Sequence, residues 1–224
     1  NKFANLARLS DFGISTISFS EENDVLVVVY NNSNIDLVYG TSVINVSDIK
    51  RKQITGEKTI NNISFSGDEA YLACSFGIVA LNLGRREVKD TYVIGEGGTH
   101  LNINDVEVLN DTIYAATDAG ILKAGKEDNL LDYSNWSNVG NIPRASEKFN
   151  FLEMHAGKLI ANYTPEQWYA DEMYVYDGNT WSPYLSGIKY IFDIQENGNN
   201  LVIASRNSVY VIDQNDYVAK KTVS

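Results

Sequence analysis

The stretch Ile60-Asn61-Asn62-Ile63-Ser64-Phe65-Ser66-Gly67-Asp68-Glu69-Ala70-Tyr71-Leu72-Ala73-Cys74-Ser75-Phe76-Gly77-Ile78-Val79-Ala80-Leu81-Asn82-Leu83 decides the fold. It holds three short apolar runs, broken at Gly67-Asp68 and at Phe76-Gly77, and each run is too short for a helix but of strand length. The Gly-Asp step supplies the positive φ of a tight hairpin, and Ser75-Phe76-Gly77 makes the next reversal. The segment reads as a strand meander.

The same phrase recurs four more times. Anchored on the apolar second residue of each second strand, Leu26, Tyr71, Ile113, Leu159 and Leu201, the spacings are 45, 42, 46 and 42 residues. That is the period of a four-stranded propeller blade, about 40 to 50 residues. The turn before each anchor recurs as well: Asn23-Asp24, Gly67-Asp68, Asn110-Asp111, Ala156-Gly157 and Asn197-Gly198. The expected fold class is all-β, a β-propeller of four-stranded antiparallel blades with five repeats visible. The blades fall at residues 9–49, 58–95, 101–140, 147–186 and 188–223, in a single propeller domain or fragment over residues 1–224. The five blades either close on themselves or form an arc of a six- or seven-bladed ring. The arc is the favoured reading, with Asn1 to Leu6 as the end of an outer strand from a further blade. Val25-Leu26-Val27-Val28-Val29-Tyr30 lacks polar alternation, as a strand covered on both faces by neighbouring blades should.

Composition narrows the function classes. A count of 14 Tyr against 3 Pro and 2 Met suits pleated sheets. No window of about 18 apolar residues exists to span a membrane. The net charge of −11 argues against a nucleic-acid partner, which requires clustered Lys and Arg. Lys50-Arg51-Lys52, Arg85-Arg86 and Lys220-Lys221 are scattered among blades and read as solvated turns. A single cysteine, Cys74, excludes an intrachain disulfide and reads as an inert core thiol.

Groups that could carry chemistry do not converge. His100 and His155 are the only histidines, and neither stands at a metal-ligand spacing to the other or to Cys74. His155, next to a turn, reads as structural or exposed. Carboxylates such as Glu21, Glu22, Asp24, Asp68, Glu69, Asp111 and Glu196 gather in turns, where they serve backbone amides or water. Gly95-Glu96-Gly97-Gly98-Thr99-His100 lacks the Lys-Ser/Thr ending of a phosphate loop and leads into a strand, so it reads as a flexible connection between blades. The expectation is a protein that is not an enzyme, with no metal and no cofactor.

The candidate ligand- or partner-binding residues are Asn61, Asn104, Asn150, His100, Trp168 and Tyr169. Asn61, Asn104 and Asn150 share one position near the start of three innermost strands, with Ser15 and Phe192 there in the other two blades. These amides either bind a ligand at the mouth of the channel or hydrogen-bond a neighbouring blade. The loops Lys50 to Lys58, Gly95 to His100, Arg144 to Lys148 and Thr164 to Glu172 are expected on the same face, where partner contact is most plausible. In the last of these, Trp168-Tyr169 is either a contact surface or folds back over its own blade.

Several phrases resemble the amino-terminal propeller of the PorZ family: Leu9-Ser10-Asp11-Phe12-Gly13-Ile14-Ser15, Val46-Ser47-Asp48-Ile49-Lys50-Arg51, Lys58-Thr59-Ile60-Asn61-Asn62-Ile63, Ala70-Tyr71-Leu72-Ala73-Cys74-Ser75-Phe76-Gly77-Ile78-Val79 and Tyr114-Ala115-Ala116-Thr117-Asp118-Ala119-Gly120-Ile121. The resemblance covers most of residues 9–122. It implies a cell-surface, non-enzymatic scaffold of type IX secretion, in an attachment complex whose sortase trims cargo and joins it to anionic lipopolysaccharide. Such proteins carry two propellers and a carboxy-terminal sandwich, so the chain corresponds to part of the first propeller. The partners implied are envelope or secretion-machinery proteins, with no direct membrane insertion. Oligosaccharide or lipopolysaccharide contact is expected only through parts outside this chain, because its acidity opposes a polyanion. The implied location is extracytoplasmic: the cell surface or outer membrane, with the periplasm as alternative. A second reading is the oligosaccharide-binding extracytoplasmic propeller of a hybrid two-component sensor. Such blades carry a Leu-Trp-Ile-Gly-Thr phrase, where this chain has Leu72-Ala73-Cys74-Ser75 and Ala115-Ala116-Thr117.

Overall fold

Each of the five turns singled out above carries positive φ, and this sets the hairpins that build the sheets. In a computed structural model, which describes residues 9–165, 167 and 169–222, Asn110 and Asp111 adopt φ of 48° and 57°, and Ala156 and Gly157 adopt 49° and 73°. Both central residues being positive makes these type I′ turns, whose twist matches that of the flanking strands. Gly67 (58°) and Gly198 (60°) are positive at the first central position, as type II′ requires. The fifth turn is thus Gly198-Asn199, one residue later than the sequence suggests, because the glycine must take the first place.

These hairpins generate four-stranded antiparallel meanders with neighbours in chain order. The first comprises β1 (Ile14–Ser20), β2 (Val25–Tyr30), β3 (Ile35–Tyr39) and β4 (Ser42–Val46), and the second β5 (Ile60–Ser66), β6 (Glu69–Cys74), β7 (Gly77–Asn82) and β8 (Glu87–Tyr92). The third has β9 (Ile103–Leu109), β10 (Thr112–Thr117), β11 (Gly120–Gly125) and β12 (Ser137–Asn138). The fourth holds β13 (Phe149–His155), β14 (Lys158–Tyr163), β15 (Glu172–Tyr176) and β16 (Trp181–Tyr184), and the fifth β17 (Ile191–Asn197), β18 (Asn200–Ser205), β19 (Ser208–Ile212) and β20 (Val218–Thr222). The fold is an all-β propeller of five four-stranded blades.

The sequence of the third blade reads as an outer strand over about Ser134 to Val139, and the strand formed is shorter, Ser137–Asn138. Asp132 accepts the backbone N–H and the hydroxyl of Ser134, which winds Tyr133–Asn135 into a 3-10 turn and leaves two residues to pair with β11. Of the basic clusters read as turns, Lys50-Arg51 lies on a short helix, Asp48–Arg51, and Lys220-Lys221 lies on β20. The Asn1 to Leu6 segment lies outside the described residues. Among the described residues, no helix is long and apolar enough to cross a membrane.

The chain divides into two compact units, residues 1–106 with 129–135 and residues 107–128 with 136–224. In the first, the odd-numbered side chains of β2 and β3 (Val25, Val27, Val29, Ile35, Leu37) pack against Ile63, Leu72, Cys74, Val79 and Leu81 of the second blade. Each fully buried Val, Leu or Ile of this kind contributes about 1.5–3 kcal/mol. Burial also pushes the Cys74 thiol far up, so it stays a neutral core group. Ile17 and Phe19 of β1 remain half exposed, whereas the corresponding Ile63 and Phe65 of β5 join that core. In the second unit, Tyr114, Ala116 and Ile121 pack with Phe149, Leu152 and Leu159, and a further cluster joins Ile160 and Met173 to Ile194, Leu201 and Ile203.

Candidate functional site

The candidate amides owe their placement to a repeated irregularity in the first hairpin of each blade. Pairing slips between Ile14 and Thr16, Ile60 and Asn62, Phe149 and Phe151, and Ile191 and Asp193. The extra residue in these four bulges is Ser15, Asn61, Asn150 or Phe192, four of the five residues that the sequence aligns. A bulge re-aims the side chain of its extra residue, and the four are used differently.

Asn61 reaches the next blade. Its Nδ2 donates to Asn102 Oδ1 (3.1 Å) and to the Ile103 carbonyl (2.7 Å), and Asn102 Nδ2 donates in turn to Asn104 Oδ1 (2.8 Å). Beside this chain, Asn62 Nδ2 donates to the buried Asp105 carboxylate at 2.9 Å. The structure thus brings Asn61 and Asn104 together through Asn102. Sequence reasoning passed over Asn62, Asn102 and Asp105, although the Asn-x-Asn of residues 102–104 was a usable signal. Ser15 instead bonds back to the Val29 carbonyl (3.1 Å), and Phe192 is 62% exposed. Asn150 is half-buried on β13. We expect Asn61→Ala to lower the unfolding free energy by about 1–2 kcal/mol, the worth of two hydrogen bonds between blades. Urea denaturation checks this, and unchanged stability would leave the amide free for a ligand.

His100 is exposed, with its ring edge-on to Phe76 at a centroid distance of 6.2 Å. The preceding loop is held more firmly than the sequence suggests: Gly95 and Thr99 pair across a 3-10 turn at Glu96–Gly98, and Thr99 Oγ1 donates to the Glu96 carbonyl (2.9 Å). His155 is buried at the end of β13, its Nε2 3.0 Å from the Asp213 carbonyl. Because a carbonyl only accepts, Nε2 carries the proton. Nδ1 then faces Glu196 at 3.7 Å.

In the long reversal of the fourth blade, Tyr169 is 52% exposed and Trp168 lies outside the described residues. The loop ends at Asp171, whose buried carboxylate accepts the Thr164 hydroxyl (2.8 Å) and the Tyr190 amide (2.7 Å). Next to it, Glu172 takes hydrogen bonds from Tyr174 and from Arg144 (3.1 Å), which hold its carboxyl below the usual range. Burial, and then that carboxylate, push the Tyr174 phenol up to about 12. A phenol and an arginine both committed to one carboxylate form a structural clamp, not an acid–base pair.

The comparisons with known proteins agree with this architecture. No curated protein matches the chain. Among solved structures, PorZ, described as an essential surface component of the type IX secretion system of Porphyromonas gingivalis, superposes with a TM-score of 0.83 at 22% identity. That match covers 99% of this chain and 29% of PorZ, so the chain spans less than a third of that protein's length. The extracellular domain of a putative hybrid two-component system of B. thetaiotaomicron gives a TM-score of 0.61 at 12% identity, covering 96% of this chain and 31% of the other. A YCF48 structure bound to a D1 peptide gives 0.58 at 13% identity, covering 94% and 69%. At these identities the structures share the fold alone. The model of the type IX secretion PorZ N-terminal β-propeller domain matches residues 1–137, more than half the chain, and the protein therefore belongs to that family.

Proposed function

We propose that the chain is the non-catalytic propeller scaffold of a cell-surface protein and mediates protein–protein contacts in type IX secretion and cargo attachment. The observation that carries this reading is the family match over residues 1–137. The side chains support it. The carboxylate best placed for chemistry, Glu172, is clamped, and His155 is buried against a carbonyl. What the chain offers to a partner is loop surface, and we assign partner contact first to the reversal at residues 164–171, where Tyr169 is exposed above a base fixed by Asp171. An exposed aromatic on an anchored loop gives contact area at low entropic cost. The extracytoplasmic location rests on the same family match.

Affinity capture from envelope extracts of a bacterium with a type IX system tests the proposal. The tagged chain is expected to retain secretion-machinery proteins, and Tyr169→Ala is expected to retain less of them. Saturable binding on a glycan array together with no captured secretion protein would instead favour the sensor-type propeller.

A further inference from the structure

Asn-Gly occurs once in the sequence, at Asn197-Gly198, where β17 turns into β18. Both residues are exposed. Among the described residues the Asn197 side-chain amide takes part in no hydrogen bond, and neither does the Gly198 N–H. The glycine turns at φ 60° and has open space on the side where a Cβ would stand. Nothing therefore holds the carboxamide away from the main-chain nitrogen that follows it.

Two comparable pairs are tied down. Asp177-Gly178 is the one Asp-Gly pair in the sequence, and the Asp177 carboxylate accepts the amides of Thr180 (2.8 Å) and Asn179 (2.9 Å). Those bonds hold its carboxyl below the usual range, and an ionised, engaged carboxylate is a poor electrophile. Asn32, followed by the small Ser33, donates to Asp11 (2.6 Å) and accepts the Asn34 amide (3.1 Å). Asn197 combines a following glycine with an uncommitted amide.

We propose that Asn197 is a site of spontaneous modification, which loses its amide through a cyclic imide with Gly198 and loosens the first hairpin of the fifth blade, independently of any partner. The Gly198 nitrogen, after giving its proton to hydroxide, attacks Asn197 Cγ. The new N–Cγ bond closes a five-membered ring as the Cγ–Nδ2 bond breaks, and Nδ2 leaves as ammonia with a proton from water. Water then opens the ring at either carbonyl. Cleavage at Cγ gives aspartate, and cleavage at the former main-chain carbonyl leaves the chain running through Cγ as isoaspartate. The end of a hairpin opens most readily, which supplies the rotation that ring closure needs. A two-residue turn sets the register of its strands, and isoaspartate puts one more carbon into the main chain beside it. The register at stake is the one that seats Ile194, Leu201 and Ile203 in the core. Either product also adds a carboxylate next to Glu196.

Ageing the 224-residue chain in buffer at neutral and at alkaline pH, followed by isoelectric focusing and peptide mass mapping, tests this. The parent is expected to gain a single negative charge, located in the peptide that contains Asn197 and gained faster at the higher pH. Protein isoaspartyl methyltransferase should label that peptide. Asn197→Gln would have to close a larger, six-membered ring and should lose the charge shift. Circular dichroism verifies that this exposed substitution leaves the fold intact. The aged parent should lose amide-exchange protection in β17 and β18 relative to fresh protein, and aged N197Q should keep it. The proposal is overturned if Asn197 stays amidated while other asparagines convert, if N197Q acidifies as the parent does, or if the converted chain keeps full protection in β17 and β18.

Discussion

Gly77→Ala is expected to cost about 3–5 kcal/mol of stability, enough to leave much of the chain unfolded. Gly77 opens β7 at φ 137°, a conformation costly for any L side chain, and a Cβ there would run into the backbone carbonyl of Tyr92 at the end of β8. Backbone cannot swing aside as a side chain can, so the strand pairing itself has to yield. Gly120 repeats the arrangement in the third blade, with φ 119° and a Cβ directed at the carbonyl of Ala145. Gly67 supplies the control. It is also positive in φ (58°) but faces open space, so Gly67→Ala should cost only the left-handed penalty, about 1–2 kcal/mol. Equilibrium unfolding in urea separates the cases. Equal losses at Gly77 and Gly67 would mean that no close approach exists.

Asp36→Ala is expected to cost about 3–4 kcal/mol, because it strands several buried donors at once. The carboxylate is fully buried in β3 and accepts the Ser10 amide (2.7 Å), the Tyr30 hydroxyl (2.6 Å) and Asn45 Nδ2 (2.9 Å), tying the segment before β1 to β2 and β4. Burial opposes its ionisation, yet these donors together outweigh burial and hold its pKa below the ordinary 3.8. A depressed folded pKa contributes stability that is present above the unfolded value and is lost as pH falls through the folded one. The parent should therefore lose stability steeply below about pH 3.8, and the Asp36→Ala variant less steeply in the same window. Asp11 adds to the slope at the acid end: hydrogen bonds from Lys50 and Asn32 bring its carboxyl down to about 2. Thermal unfolding followed from pH 7 to pH 2 measures the difference. Parallel curves would mean that Asp36 is not the group responsible.

The blades were legible in the sequence because their turns depend on residue type at single positions. Gly67 and Gly198 stand where backbone chirality demands glycine, and Asn110-Asp111 tolerate the left-handed region that most residues avoid. The bulges were not legible. Their extra residues are a serine, two asparagines and a phenylalanine, so no side-chain chemistry marks them, and a slip in pairing is a property of two strands together. Aligning the repeats nonetheless found the position, because Asn61 and Asn150 sit at the same distance before their turns. The short β12 was missed for a local reason, since Asp132 and Ser134 compete for the backbone that would otherwise have paired.

The propeller fold rests on one structural statement: a single unit of about 40 to 50 residues, repeated five times, folds each time into the same meander. Native-state amide hydrogen exchange tests it most directly, because the second strand of every blade is paired on both sides while the fourth is an edge. The account predicts five separate maxima of protection, at β2, β6, β10, β14 and β18, each falling off toward the outer strand of its blade. Protection missing from any one of those strands, or highest in an outer strand, would contradict it.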